Sequence, residues 1–213
     1  MKIIKETNED EMILEFLKGE YISERFNKKL QCAIDKINLS SDIIVNGNTM
    51  SNEQNQLRKK IMKIFRGYPD EALFKGFPKN IKWKFVQFDE VDINKMYYIN
   101  YDYWNELSNN TSKPIEAAKN VRNGIEIYNV SNQTFIDGEK ILEFKKFPPI
   151  IILTCNYEKF LIIEGHSRMT VYGLNPNKFA NTYGFVGFCS EKEMRYYDSR
   201  MVSSENNLQI KRK

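Results

Sequence analysis

Apolar side chains recur every three or four positions early in the chain: Ile13, Leu14, Leu17 and Tyr21, then Leu30, Ala33, Ile34 and Ile37. That spacing puts them on one face of a helix, and Gly19 is the expected point at which the stretch divides in two. Asn46-Gly47-Asn48 has turn chemistry. Ser51, with Gln54 three residues on, predicts a capped helix start. The helix that follows should carry Leu57, Ile61, Ile64 and Phe65 on one face and stop near Gly67. Residues 68–80 are rich in Gly and Pro and close this helical first third.

Past Asn80 the period shortens. Trp83, Phe85, Val86 and Phe88 predict a strand, and residues 96–104 are dense in aromatics: Tyr97, Tyr98, Tyr101, Tyr103 and Trp104. Ser112 before Pro114 predicts a helix running through Ala117, Ala118 and Val121 to about Arg122, with Gly124 as its stop. A second helix is expected over residues 138–144. Residues 149–153 and 159–163 are apolar runs of strand length around the turn Asn156-Tyr157-Glu158. The unbroken run Phe160-Leu161-Ile162-Ile163 predicts burial on both faces. A short helix over residues 169–174, a strand over 183–189 and a last helix capped by Ser190 complete the pattern. The fold class is α+β. Residues 1–80 read as a helical extension, 81–200 as a mixed domain and 201–213 as a basic tail.

Composition narrows the classes. The chain has 213 residues, 41% hydrophobic and 28% charged, values of an ordinary globular protein rather than a disordered or collagen-like one. Its longest apolar run, residues 148–153, is far short of the ~20 residues a bilayer span needs, so no membrane partner is expected. The net charge of +4 permits an anionic ligand without requiring nucleic acid. The basic runs at residues 58–60 and 211–213 are expected to be a solvated helix face and a tail. Three widely spaced cysteines with no C-x-x-C indicate neither a zinc knuckle nor a disulfide framework. With an acidic rather than apolar leader, they fit a cytoplasmic protein. One histidine, His166, excludes a multi-histidine metal site and leaves one place for a histidine relay.

That histidine falls in Glu164-Gly165-His166-Ser167-Arg168, followed by Thr170, where a strand is expected to give way to a helix. Glycine allows a tight turn. The opening amides of a helix attract anions. His166, Ser167 and Thr170 supply donors, and Arg168 a fork matched to phosphate. These residues suit a phosphate cradle. They also suit a local turn in which Arg168 pairs with Glu164 and Ser167 caps the helix. In the aromatic stretch, most rings are expected in the core, with Trp104 and Thr111 as the candidates for lining a nucleotide base. Asp89, Glu90 and Asp92 suit either a Mg²⁺ ion beside substrate phosphates or a solvated strand end.

Glu164-Gly165-His166-Ser167-Arg168, after an apolar strand, a hairpin turn and a second apolar strand, resembles the signature of the ParB/sulfiredoxin-like superfamily. Residues 117–124, ending Arg122-Asn123-Gly124, are similar to the helix before the hairpin in ParB-type domains. Phe147-Pro148-Pro149-Ile150 resembles their strand entry, and residues 83–94 their opening strand. The resemblance covers about residues 83–189. It implies that the junction binds nucleotide phosphates through Gly165, His166, Ser167, Arg168 and Thr170, with Arg122 as a further basic contact. It also implies a nucleotide ligand (ATP, ADP or CTP), Mg²⁺, and phosphoryl transfer or nucleotide hydrolysis, with Glu164 and His166 as catalytic groups. Departures matter. His166 stands where sulfiredoxins have cysteine, which argues against sulfinic-acid reduction. His166-Ser167-Arg168 lacks the glutamate and second arginine of partition-type ParB domains. The pattern is nearer to Gly-His-His-Arg of the free-serine kinases, whose upstream carboxylate would be Asp89, Glu90, Asp92 or Glu106 here. The alternative from another class is a DNA-associated nuclease or nucleic-acid-binding module of the same fold.

Overall fold

A computed structural model describes residues 1–202. Its centre is a six-stranded mixed sheet in the order β1-β2-β6-β4-β5-β3. The strands are β1 (Lys2–Glu6), β2 (Lys82–Gln87), β3 (Met96–Tyr98), β4 (Ile150–Thr154), β5 (Phe160–Glu164) and β6 (Tyr183–Phe188). The β1/β2, β2/β6 and β4/β5 pairs are antiparallel, while β4/β6 and β3/β5 are parallel.

The central strands are buried on both faces, as their unbroken apolar runs predict. In β4, Ile151 and Leu153 face one core and Ile150 and Ile152 the other; in β5, Leu161 and Ile163 oppose Phe160 and Ile162. The first core is covered by α1 (Glu9–Tyr21), α2 (Asn27–Asp35), α3 (Asp42–Val45) and α4 (Asn52–Arg66). The second is covered by α5 (Asp102–Leu107), α6 (Pro114–Arg122), α7 (Gln133–Leu142) and α8 (His166–Leu174). The last helix, α9 (Glu191–Tyr197), begins at Ser190 in a capping box. The architecture is helices on both faces of one mixed sheet. The helical first third is therefore a wall of the first core: Phe16, Leu30, Ile61 and Phe65 pack with Leu161 and Phe185 of the sheet.

Several expectations are revised. The helix expected over residues 138–144 spans Gln133–Leu142, and α6 is capped at Lys113 rather than by the Ser112 side chain. β1 has no period-two signal because all five of its residues are exposed; it is an edge strand held by its ladder to β2. Gly19 does not divide the first helix. It lies inside α1, and the chain breaks after Tyr21 instead. On α4, Ser51 caps the helix through the Gln54 amide and Gly67 ends it in the left-handed conformation, as expected. Its buried stripe is rotated, however: Asn55, Arg58, Ile61, Met62 and Phe65 are buried and Ile64 is exposed.

Arg58, expected on a solvated face, is the last. It is fully buried, donating to the carbonyls of Ile43 (2.9 Å) and Asn48 (2.6 Å) and to Asn55 Oδ1. The segment 40–50, which includes α3, turns the Ile43 and Asn48 carbonyls toward Arg58, and the five donors of a guanidinium fork can reach both and Asn55 at once. Lys59 pairs with Glu9 (2.5 Å) and Asp10 (3.1 Å), leaving Lys60 exposed. The basic residues 211–213 lie outside the described residues. No helix among those described is long and apolar enough to cross a membrane.

Candidate functional site

The junction between β5 and α8 forms where expected. Gly165 has φ +101°, and a Cβ there would come within 2.7 Å of Ile150 Cγ2, so the turn requires glycine. α8 opens one residue later, at His166 rather than Met169. Gly165 itself is the N-cap, so no side chain caps the first turn. Ser167 is exposed on that turn instead of capping it.

Arg168 turns away from solvent. Its Nη1 donates to the carbonyls of Pro148 (2.6 Å) and Pro149 (2.7 Å), and its Nη2 pairs with Glu164. Burial lowers its pKa to about 10, against the pull of the Glu15 and Glu20 carboxylates, so it stays charged at neutral pH. α1 lies over this ion pair: a Cβ on Gly19 would sit 3.4 Å from Arg168 Nη2 and 3.5 Å from Glu164 Cδ. The glycine expected to break a helix is where the helix approaches the junction. Glu164 and Arg168 thus bind one another and the entry to β4, and neither is presented to an incoming ligand.

His166 is the second centre. Its ring stacks on Trp104 (5.5 Å, 15°) and on Tyr98 (6.0 Å, 25°), which stack on each other at 4.7 Å. Burial, followed by the positive charge of Arg66, pulls its pKa down to about 3; a hydrogen bond to the Ile162 backbone opposes them. The histidine is neutral across the physiological range, which makes it a poor proton carrier there. Its Nε2 is buried with no partner. The backbone bond therefore belongs to Nδ1, and Nε2 is left with an unsatisfied lone pair.

The remaining candidates separate. Trp104 belongs to this centre. Thr170 is fully buried and committed inward, bonded to Tyr98 Oη (2.7 Å) and the His166 carbonyl (3.0 Å); it supports the aromatic stack and offers a ligand nothing. Thr111 is taken up in a turn, donating to the Ser108 carbonyl at 2.7 Å and accepting from the Lys113 amide at 3.2 Å. Arg122 pairs with Glu139 and reaches the Leu174 carbonyl (3.3 Å). Leu174 ends α8, roughly 12 Å along the helix from His166. Asp89 and Asp92 flank the Met1 ammonium at 2.5 and 2.7 Å, and Asp92 is buried. Among the described residues no group of three or more His, Cys, Asp or Glu is placed to hold a metal. A groove of about 400 Å³ lined by Glu6, Asn8, Lys79, Lys82 and Trp83, among others, contains none of the expected site residues.

Sequence reasoning missed what α1 and α4 bring. Glu20, buried, pairs with Arg66 at the end of α4, and burial raises the Glu20 carboxyl despite that partner. Arg66 Nε and Tyr103 Oη are buried without partners, like His166 Nε2. A glutamate three and four residues after Leu17 and Phe16 on an apolar face was the available signal. Comparison with family models, with curated proteins and with solved structures gave no match.

Proposed function

We propose that the chain binds a small phosphate-bearing ligand, a nucleoside phosphate, at the amino end of α8. The observation that carries this reading is the uncapped first turn at Gly165, with Ser167 exposed on it. A helix amino end offers free amides and a positive dipole to an anion. The reading favours binding over catalysis: Glu164 is neutralised by Arg168, and His166 is held neutral. Phosphoryl transfer with Mg²⁺, which the superfamily resemblance implies, would need a carboxylate from elsewhere. The nucleic-acid alternative rests on the mild basicity, the basic run at residues 58–60 and the superfamily's DNA-linked members; of that run Arg58 is buried and Lys59 is paired with Glu9 and Asp10, which leaves Lys60 exposed.

Isothermal titration with ATP, ADP and CTP, with and without Mg²⁺, tests the proposal. Ser167→Asp is the informative variant, because a carboxylate in the first turn suits the helix dipole yet repels a bound anion. The expected result is measurable heat with the wild type, loss of that heat in Ser167→Asp, and an unchanged melting temperature. Negligible heat with all three nucleotides for the wild type overturns it.

A further inference from the structure

The three cysteines are far apart in sequence, but the sheet brings two of them together. β4 and β6 run parallel in a register that pairs Leu153 with Gly187 and Thr154 with Phe188. Cys155 and Cys189 are the next matched positions. The ladder reaches them, since the Cys189 amide donates to the Thr154 carbonyl at 3.0 Å. Side chains alternate along a strand and matched residues of neighbouring strands share a face. Ile151 and Leu153 of β4 and Phe185 of β6 face the first core, and both cysteines pack against that same core. Both are free thiols. Adjacent strands lie ~4.8 Å apart, inside the ~4.4–6.8 Å range of Cα separations that a disulfide spans. The Cβ atoms must close by roughly 1 Å to meet disulfide geometry, at a point where each strand has just ended.

We propose that Cys155 and Cys189 form a dithiol that closes to an intramolecular disulfide by exchange with a small-molecule disulfide. One thiolate attacks a sulfur of the reagent, forming a mixed disulfide and expelling one thiolate. The neighbouring cysteine, deprotonated, attacks the protein sulfur of that mixed disulfide and expels the second. Two protein thiols are oxidised, the reagent is reduced to two thiols, and those take up the two protons. Cys155 is the first attacker: burial and the Glu191 carboxylate raise its thiol but Lys159 and Arg195 pull it back, whereas burial, Cys155 and Glu193 all push Cys189 up. Burial raises both thiols, Cys189 to about 12, so exchange is slow at neutral pH and faster in alkali. Closure removes two weak donors, from Cys155 to the Met201 carbonyl (3.9 Å) and from Cys189 to that of Thr154 (3.7 Å). It therefore couples oxidation to the segment at Met201.

The test incubates reduced full-length protein with oxidised glutathione and reads intact mass and peptide maps. Cys32, exposed on α2, is replaced (Cys32→Ser) to remove its adduct. The expected product of this variant is two hydrogens lighter, carries a Cys155–Cys189 cross-linked peptide and returns to the starting mass with dithiothreitol. Adding Cys189→Ser should leave a stable glutathione adduct on Cys155. Two persistent glutathione adducts in Cys32→Ser overturn the proposal. So does a Cys155–Cys189 pair that stays fully reduced after prolonged incubation in alkali, under conditions that fully modify Cys32 in the wild type.

Discussion

The His166 imidazole lies almost parallel to the Trp104 indole, with ring centroids 5.5 Å apart and planes 15° from coincidence. The first residue of α8 is thereby fixed against α5, and a titratable ring is placed where protonation is costly.

That cost has a sign. The folded-state pKa of His166 is about 3, against 6.5 for the free side chain. Between those values the unfolded chain binds a proton that the folded chain refuses. The contribution is fully present above pH 6.5 and is lost as pH falls toward 3, at up to ~1.4 kcal/mol per pH unit. Urea denaturation at pH 7, 5 and 4 should show the wild type losing more stability than His166→Phe, whose ring keeps the stack and cannot titrate. Equal losses would mean that the histidine is not held neutral.

Gly165→Ala should destabilise the fold by roughly 2–3 kcal/mol, combining a strained left-handed residue with overpacking. The added methyl would meet Ile150 at 2.7 Å. Replacing Ile150 with valine in the same chain should recover part of the loss in chemical denaturation, since that branch is the obstacle.

Arg168→Met should cost about 3 kcal/mol, because it strands the Glu164 charge and two inward carbonyls. Arg168→Lys should recover little of it, since one ammonium cannot reproduce the fork. Thermal melts distinguish the pair. Full stability in the lysine variant would show that charge alone suffices. A loss of ligand binding on removing Arg168 would consequently report damage to the turn as readily as a lost contact.

Arg58→Ala should cost about 3 kcal/mol by leaving the Ile43 and Asn48 carbonyls without their buried donor. Lys60→Ala, two positions on but exposed, should stay within about 0.5 kcal/mol. Denaturation midpoints of the two variants check whether this basic run is interior or surface.

How much of this was legible depended on how local the signal was. The capped start of α4 at Ser51, its glycine stop at Gly67, the two apolar strands of the hairpin and the Ser190 cap are written in neighbouring residues, and each formed as read. The junction at Gly165 was legible as a place. Its internal wiring was not: Arg168 suited phosphate and Glu164 equally, and only the position of the Pro148 and Pro149 carbonyls turns it inward. Thr111 and Arg122 were drawn to the site by residue type and by resemblance, yet turn bonding holds one and the far end of α8 the other.

The sequence by itself determined the α+β class, the doubly buried central strands, both ends of α4, the start of α9 and the turn that requires glycine, because periodicity, caps and backbone permissiveness act over a few residues. The tertiary structure alone decided that β1 joins the sheet, that α1 passes over Glu164 and Arg168 at Gly19, that Arg58 is interior, and that His166 stacks on Trp104. It also set Cys155 beside Cys189. Each of these depends on which distant segment supplies the partner, and strand register and helix packing choose that segment through contacts that no local pattern encodes.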